Sequence, residues 1–161
     1  MKYLLNTKNL YFFAIFFLVF LLDRLSKFYI LNLAESGDVD IYINTYINFY
    51  LIWNKGVAFG LLSSDENYLY SIVTALIIII NLIIIYFIFI TKDFRAYFFL
   101  IILGGSFGNL YDRLFYKAVP DFIDLHIGDF HWFIFNVADI FISLGVICLI
   151  FVEIFVKKEN K

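Results

Sequence analysis

Three kinds of residue in this chain have side chains suited to catalysis: a serine in a G-x-S-x-G setting, a set of aspartates, and two histidines. The serine lies in the stretch GGSFGNLYDRL, residues Gly104 to Leu114. A nucleophilic serine of that pattern needs a strained strand-to-helix turn, with a histidine and an acid oriented around it. Ser106 instead falls within a continuous apolar run, about 16 Å along its helix from Arg95. His126 and His131 belong to a later, polar segment. Gly104 and Gly108 read better as a small-xxx-small face that lets helices approach closely. The two histidines and neighbouring aspartates make metal ligation the competing reading, but neither H-E-x-x-H nor a cysteine-rich spacing supports it. What remains is aspartyl chemistry. Two close carboxyl groups share a proton, so one can activate water while the other protonates or polarises a carbonyl.

The elements that must hold such a pair are set by composition. Of 161 residues, 63% are hydrophobic and 16% charged, against roughly 45–50% and about 25% in a soluble domain. Mean hydropathy is +0.89. A core of this size cannot hide that excess, so the expected solvent is lipid. The net charge of −2 gives no basic surface for nucleic acid. Cys148, the single cysteine, sits in an apolar run and reads as inert. Four segments approach the roughly 20 apolar residues a spanning helix needs: about 10–33, 68–90, 94–114 and 133–156. The pattern Ser63-x-x-Glu66 predicts a capping box at the start of the second. Lys2 and Lys8 precede the first run, but Asp23-Arg24-Leu25-Ser26-Lys27 follows it where a signal peptide would have a small-residue cleavage site. A retained helix is therefore expected.

Four spans place both termini on one side, together with Lys2, Lys8, Lys92, Arg95, Lys157, Lys158 and Lys161. The positive-inside rule makes that side cytoplasmic. The outer connections are about 34–67 and 115–132. The first alternates Ile41, Ile43, Ile47, Phe49, Leu51 and Trp53 with polar residues, which predicts one or two strands. The second reads as a short loop crowded with Asp and His. The fold class expected is an all-α membrane protein of four transmembrane helices, with a small outward-facing β-sheet between the first two. No repeat or linker divides it, so 1–161 is read as one integral-membrane domain.

Ionisable groups within a bilayer are costly and point to function. Helical rise puts Asp23 about 22 Å from Lys8, Asp112 about 25 Å from Arg95 and Asp139 about 27 Å from Lys157. In a core of about 30 Å all three approach the outer boundary. Arg24 and Lys27 share that level, where snorkelling to the interface is one account of them. Asp139 is too short to snorkel from within Phe135-Asn136-Val137-Ala138-Asp139-Ile140-Phe141. Depth favours Asp112 as its partner. Local environment favours Asp121, because Pro120 ends any helix and allows the chain to turn back towards the membrane face. Both pairs stand.

Five blocks, in order, resemble those of bacterial lipoprotein signal peptidase (signal peptidase II), an intramembrane aspartic protease family. They are Asp23-Arg24-Leu25-Ser26-Lys27, the run from Asn54 to Gly60 (NKGVAFG), Gly104 to Arg113, Val119-Pro120-Asp121-Phe122-Ile123, and Phe135 to Asp139. The resemblance implies an endopeptidase of the bacterial inner membrane, active near its outer leaflet. It would remove signal peptides from diacylglyceryl-modified prolipoproteins, cutting before the lipid-modified cysteine. It assigns the catalytic dyad to Asp121 and Asp139, and substrate-binding or dyad-supporting roles to Asn54, Gly56, Asn109, Arg113 and Asn136. Asp23, Lys27 and Asp112 would be structural polar residues. Its partners would be those substrates and membrane lipid, with no metal or cofactor required and no oligomeric state implied. Pro120, Phe133 and Ile140 depart from the family pattern and put the shape of the 115–132 segment in question.

Overall fold

The structure, a computed structural model, describes residues 7–37, 39–56 and 66–155. Ser63, Lys2, Lys157, Lys158, Lys161 and the Val57–Gly60 part of the second block lie outside them. The described elements run α1 (Thr7–Ala34), β1 (Asp40–Asn44), β2 (Ile47–Asn54), α2 (Glu66–Ile90), α3 (Arg95–Tyr116), β3 (Val119–Ile127), β4 (Phe130–Phe135) and α4 (Val137–Phe155). Four helices and one four-stranded sheet are thus present among the described residues.

Two of the helices, over Tyr70–Ile90 and Val137–Phe155, are long and apolar enough to cross a membrane. Their side chains are predominantly apolar and many are exposed, as with Ile79, Leu82, Phe89, Ile147, Phe151 and Ile154. A contiguous apolar surface of this kind is suited to a membrane or another apolar partner rather than to water. The polar residues of α1 and α3 are turned inward instead: Asp23, Lys27, Asn109 and Asp112 are all buried.

The central helix is α3, which packs on α1, α2 and α4. Its glycines allow this. A Cβ on Gly105 would stand 2.7 Å from the backbone oxygen of Ala138, and one on Gly108 would run into the Asp23 carboxylate. The small-xxx-small face is therefore a true contact surface, with Gly104 against α1 at Phe16 and Val19. Gly105→Ala should push α4 away at the turn that carries Asp139. A loss of about 1–3 kcal/mol is expected, read as a lower melting temperature together with reduced activity.

The sheet departs from expectation. Its order is β1-β2-β3-β4, all neighbours antiparallel, so it joins both outer connections rather than lying between the first two helices alone. The segment expected to be a loop is a hairpin, and the fourth helix begins at Val137 because Phe130–Phe135 is strand. The cause is the pattern itself: as a group Val, Ile, Phe and Trp are the commonest residues of 119–135, alternate in part with Asp and His, and are split by the turn residues Gly128-Asp129. Gly128 takes φ 58°, as a two-residue hairpin turn demands, and Ile127 pairs with Phe130 across it. Lys117, in the left-handed conformation, ends α3 and lets the chain reverse into β3. Pro120 is the second residue of β3, paired opposite Trp53. It leaves the strand intact. Phe133 lies within β4, and Ile140 is an exposed residue of α4. Beneath the sheet, Ile30 of α1, Val39 and Phe122 form a small core.

Candidate active site

The site forms where the sheet meets the ends of α1, α3 and α4. Its base is a cluster of four charges, of which Asp23, Lys27 and Asp112 are buried and Arg24 is partly buried. Arg24 donates to both oxygens of Asp112, at 2.6 and 2.9 Å, and to Asp23 at 2.7 Å. Lys27, only 1% exposed, donates to Asp112 at 2.6 Å, to Asp23 and to Asn109 at 2.8 Å. Two cations thus balance two carboxylates, and every charge has hydrogen-bonded partners, as burial requires. Snorkelling does not describe Lys27. Arg24 was not singled out as a site residue, although positions 23, 24 and 27 share one helix face and signalled it. Asp23 also accepts the backbone N–H of Ala138 at 3.0 Å, so α1 caps the first turn of α4.

That first turn presents Asp139. Asn136 and Asp139 form a reciprocal capping box. The Asn136 side-chain oxygen accepts the Asp139 N–H at 3.2 Å, and the Asp139 carboxylate accepts the Asn136 N–H at 3.1 Å. The F-N-x-A-D block is therefore a helix start whose third residue is a fixed carboxylate.

Asp121 reaches the same place from β3. It is 2% exposed and accepts from the side-chain amides of Asn54, at 2.8 Å, and Asn136, at 2.5 Å. Asn136 therefore touches both carboxylates. Asp112, the alternative partner by depth, is wholly committed to Arg24 and Lys27. The structure brings Asp121, not Asp112, to Asp139.

Three asparagines hold this pair by one device. Each amide oxygen is occupied by an N–H group, so its NH2 must face a carboxylate. For Asn54 the oxygen accepts from Gly56 N–H at 2.7 Å. For Asn136 it accepts from Asp139 N–H. For Asn109 it accepts from Lys27, a group with no acceptor of its own, and the NH2 donates to Asp139 at 2.8 Å. Gly56 takes φ 85°, the left-handed turn that aims its N–H back at Asn54, and a Cβ there would be 3.3 Å from Val73. Arg113 donates to the Asn109 carbonyl at 3.2 Å, while its buried Nε has no hydrogen-bond partner among the described residues. Asp139 and Asp121 both lie within its electrostatic reach. It is a spare donor beside two carboxylates.

Ser106 is buried in α3. His126 and His131 stand instead on the β3–β4 hairpin, where His131 bonds Asp124.

Burial pushes the Asp121 carboxyl up to about 6, assisted by the nearby charge of Asp139 and opposed by the Asn54 and Asn136 hydrogen bonds. The folded chain thus holds this proton to about pH 6, whereas the ordinary value is 3.8. Asp121 contributes stability that is complete below 3.8 and lost as pH rises through about 6. Measured against Asp121→Asn, which does not titrate, the wild type should lose roughly 2–3 kcal/mol between pH 4 and pH 7. Melting curves of the two proteins at both pH values check this; a difference that does not change with pH contradicts it.

A carboxyl pair, clamped by amides and bordered by an unpaired guanidinium N–H, is equipped for acid–base hydrolysis of an amide. Residues 15–155 match the protein family described as Signal peptidase (SPase) II. The chain belongs to the signal peptidase II family. It is a protease of a membrane-enzyme family, aspartic in type. Similar proteins include the lipoprotein signal peptidase of Pelagibacter ubique (strain HTCC1062), 53% identical over 98% of this chain and 97% of that protein. That of Anaplasma phagocytophilum (strain HZ) is 44% identical over 84% of this chain and 86% of its own. A solved bacterial membrane enzyme, determined by the in meso method at 2.3 Å resolution, superposes with a TM-score of 0.72. It is 28% identical and covers 93% of this chain and 90% of that one.

Proposed function

We propose that this chain removes signal peptides from diacylglyceryl-modified prolipoproteins, cutting before the lipid-modified cysteine, with Asp121 and Asp139 as its catalytic dyad. The observation that carries the assignment is Asn136, which donates to Asp121 through its side chain and to Asp139 through its backbone. One carboxylate takes a proton from water as the water oxygen attacks the scissile carbonyl. The other carboxyl gives its proton to the carbonyl oxygen. As the tetrahedral intermediate collapses and the C–N bond breaks, its hydroxyl returns that proton to the second carboxylate, while the first carboxyl gives the proton it took from water to the departing nitrogen, releasing the new amine. Asn54, Asn109 and Asn136 fix the pair, Gly56 fixes Asn54, and Arg113 offers its free N–H to the substrate backbone. Asp23, Lys27 and Asp112 hold the helices in register. No metal or cofactor takes part in these steps.

The chain acts as one integral-membrane domain with four spans and both termini in the cytoplasm. Lys92 and Arg95, at the α2–α3 connection, lie at the end of the molecule opposite the dyad, which supports an outward-facing site by the positive-inside rule. There the substrate's acyl chains can stay in lipid while its backbone meets the carboxyl pair. The test is cleavage of a lipid-modified prolipoprotein by purified protein in detergent. A new N-terminus at the modified cysteine is expected by mass spectrometry, with activity persisting in chelator and in Ser106→Ala. Loss of activity in Ser106→Ala, with the protein still folded, would overturn the aspartyl reading.

A further inference from the structure

The β3–β4 hairpin carries a second polar constellation that the peptidase chemistry does not use. Asp124 and His126 are two apart on β3 and so share a face, and His131 is the cross-strand partner of His126 on β4. An extra residue between His131 and Ile134 bulges β4 here, because Asp124 pairs with Ile134 while His126 pairs with His131. The two imidazoles stack with centroids 5.1 Å apart. Asp124 Oδ2 lies 2.8 Å from His131 Nδ1 and 3.7 Å from His126 Nδ1. One donor atom from each of the three residues falls within a span of 4.8 Å.

Two further facts point to a ligand. Five buried side-chain polar atoms lack a hydrogen-bond partner among the described residues, and two of them belong to this patch: His126 Nδ1 and Asn48 Oδ1. His126 is only 9% exposed, with its backbone N–H tied to the Tyr46 carbonyl. Asn48 stands directly across from Asp124 on β2. A buried carboxylate and an unpartnered imidazole nitrogen thus stand together, with an unpartnered amide oxygen at the paired position of the neighbouring strand. Such a group of electron-pair donors is a cation's environment.

We propose that Asp124, His126 and His131 bind one zinc-type divalent transition-metal ion, which clips β3 to β4. Two imidazoles and a carboxylate are the donor set such ions take, with a fourth position left for water or Asn48. In a tetrahedral site with bonds of about 2.0–2.1 Å, donor atoms lie about 3.3–3.4 Å apart. The observed 2.8 and 3.7 Å bracket that edge, and the three donor atoms, all within 4.8 Å of one another, close to it by rotation of the two imidazole side chains. On binding, the hydrogen bond between His131 Nδ1 and Asp124 is replaced by bonds to the metal, and the imidazole proton resides on Nε2. Alternation along β3 turns this face away from Asp121, so the ion stabilises the hairpin and stays apart from the cleavage reaction. The inference is independent of the dyad assignment.

The test uses tag-free, full-length protein in detergent, stripped with chelator and titrated with Zn2+ alone. One Zn2+ per chain is expected, with affinity lowered at least 10-fold in His126→Ala and in His131→Ala. His131 has a side chain 54% exposed, so His131→Ala and His131→Gln keep the fold intact and isolate the loss of a ligand. Zn2+ should raise the melting temperature of the wild type and of neither His131 variant. Equal Zn2+ affinity in wild type and both His131 variants would overturn the site. So would Mg2+ binding as tightly as Zn2+, since that signals carboxylate alone.

Discussion

Asp139→Asn is expected to lower the rate of prolipoprotein cleavage by about 10³-fold or more, the scale at which a positioned acid–base group contributes. The variant should still fold. An amide oxygen at position 139 can keep accepting the Asn136 N–H, so the capping box survives. Its NH2, however, would face the NH2 of Asn109, which cannot turn over because Lys27 holds its oxygen. One unpaired donor costs about 1–3 kcal/mol, which lowers the melting temperature by a few degrees without emptying the membrane of protein. The expected signature is therefore a large kinetic loss with a small loss of stability. Assays at matched membrane levels, with melting curves in detergent, separate the two. Cleavage within tenfold of wild type would remove Asp139 from the dyad.

Lys27→Met should do the reverse, acting on folding first. Lys27 serves Asp23, Asp112 and Asn109 at once, and all three are buried. Without it two carboxylates share Arg24 alone, leaving an uncompensated buried charge. Breaking a buried pair in this way costs about 3–5 kcal/mol. For a chain of this size that corresponds to a fall in melting temperature of roughly 10 °C or more, and the amount of protein in the membrane should drop. Activity would fall too, because the Asn109 amide is then free to turn its oxygen towards Asp139. The double variant Lys27→Met/Asp112→Asn restores charge balance and should recover part of the lost stability. A single variant that melts with the wild type would show that the cluster does not hold the helices together.

The helices were legible because lipid-facing sequence is apolar all round and the exceptions are few. Asp23, Asp112 and Asp139 stood out for that reason, and helical rise placed them at one level. What depth could not separate was Asp112 from Asp121. Asp112 has the right height, but Arg24 and Lys27 consume both its oxygens, a contact made across 88 and 85 residues that no local pattern encodes. Asp121 reaches the site because β3 pairs with β2, a long-range choice as well. The motif resemblance named it where the residues alone left two pairs standing. The sheet was half legible. Alternation over 41–53 announced strands, whereas the Asp and His residues of 121–131 masked an equally alternating hairpin, and Gly128-Asp129 was the missed turn signal. The three-asparagine device was hidden altogether, since the direction of an amide depends on what holds its oxygen.

Cleavage of a diacylglyceryl-modified prolipoprotein by purified Asp121→Asn, beside the wild type in the same detergent, tests the central claim most directly. The account predicts wild-type product beginning at the lipid-modified cysteine and none above background from the variant, although its melting curve shows it folded. Full cleavage by Asp121→Asn at that same bond would contradict it.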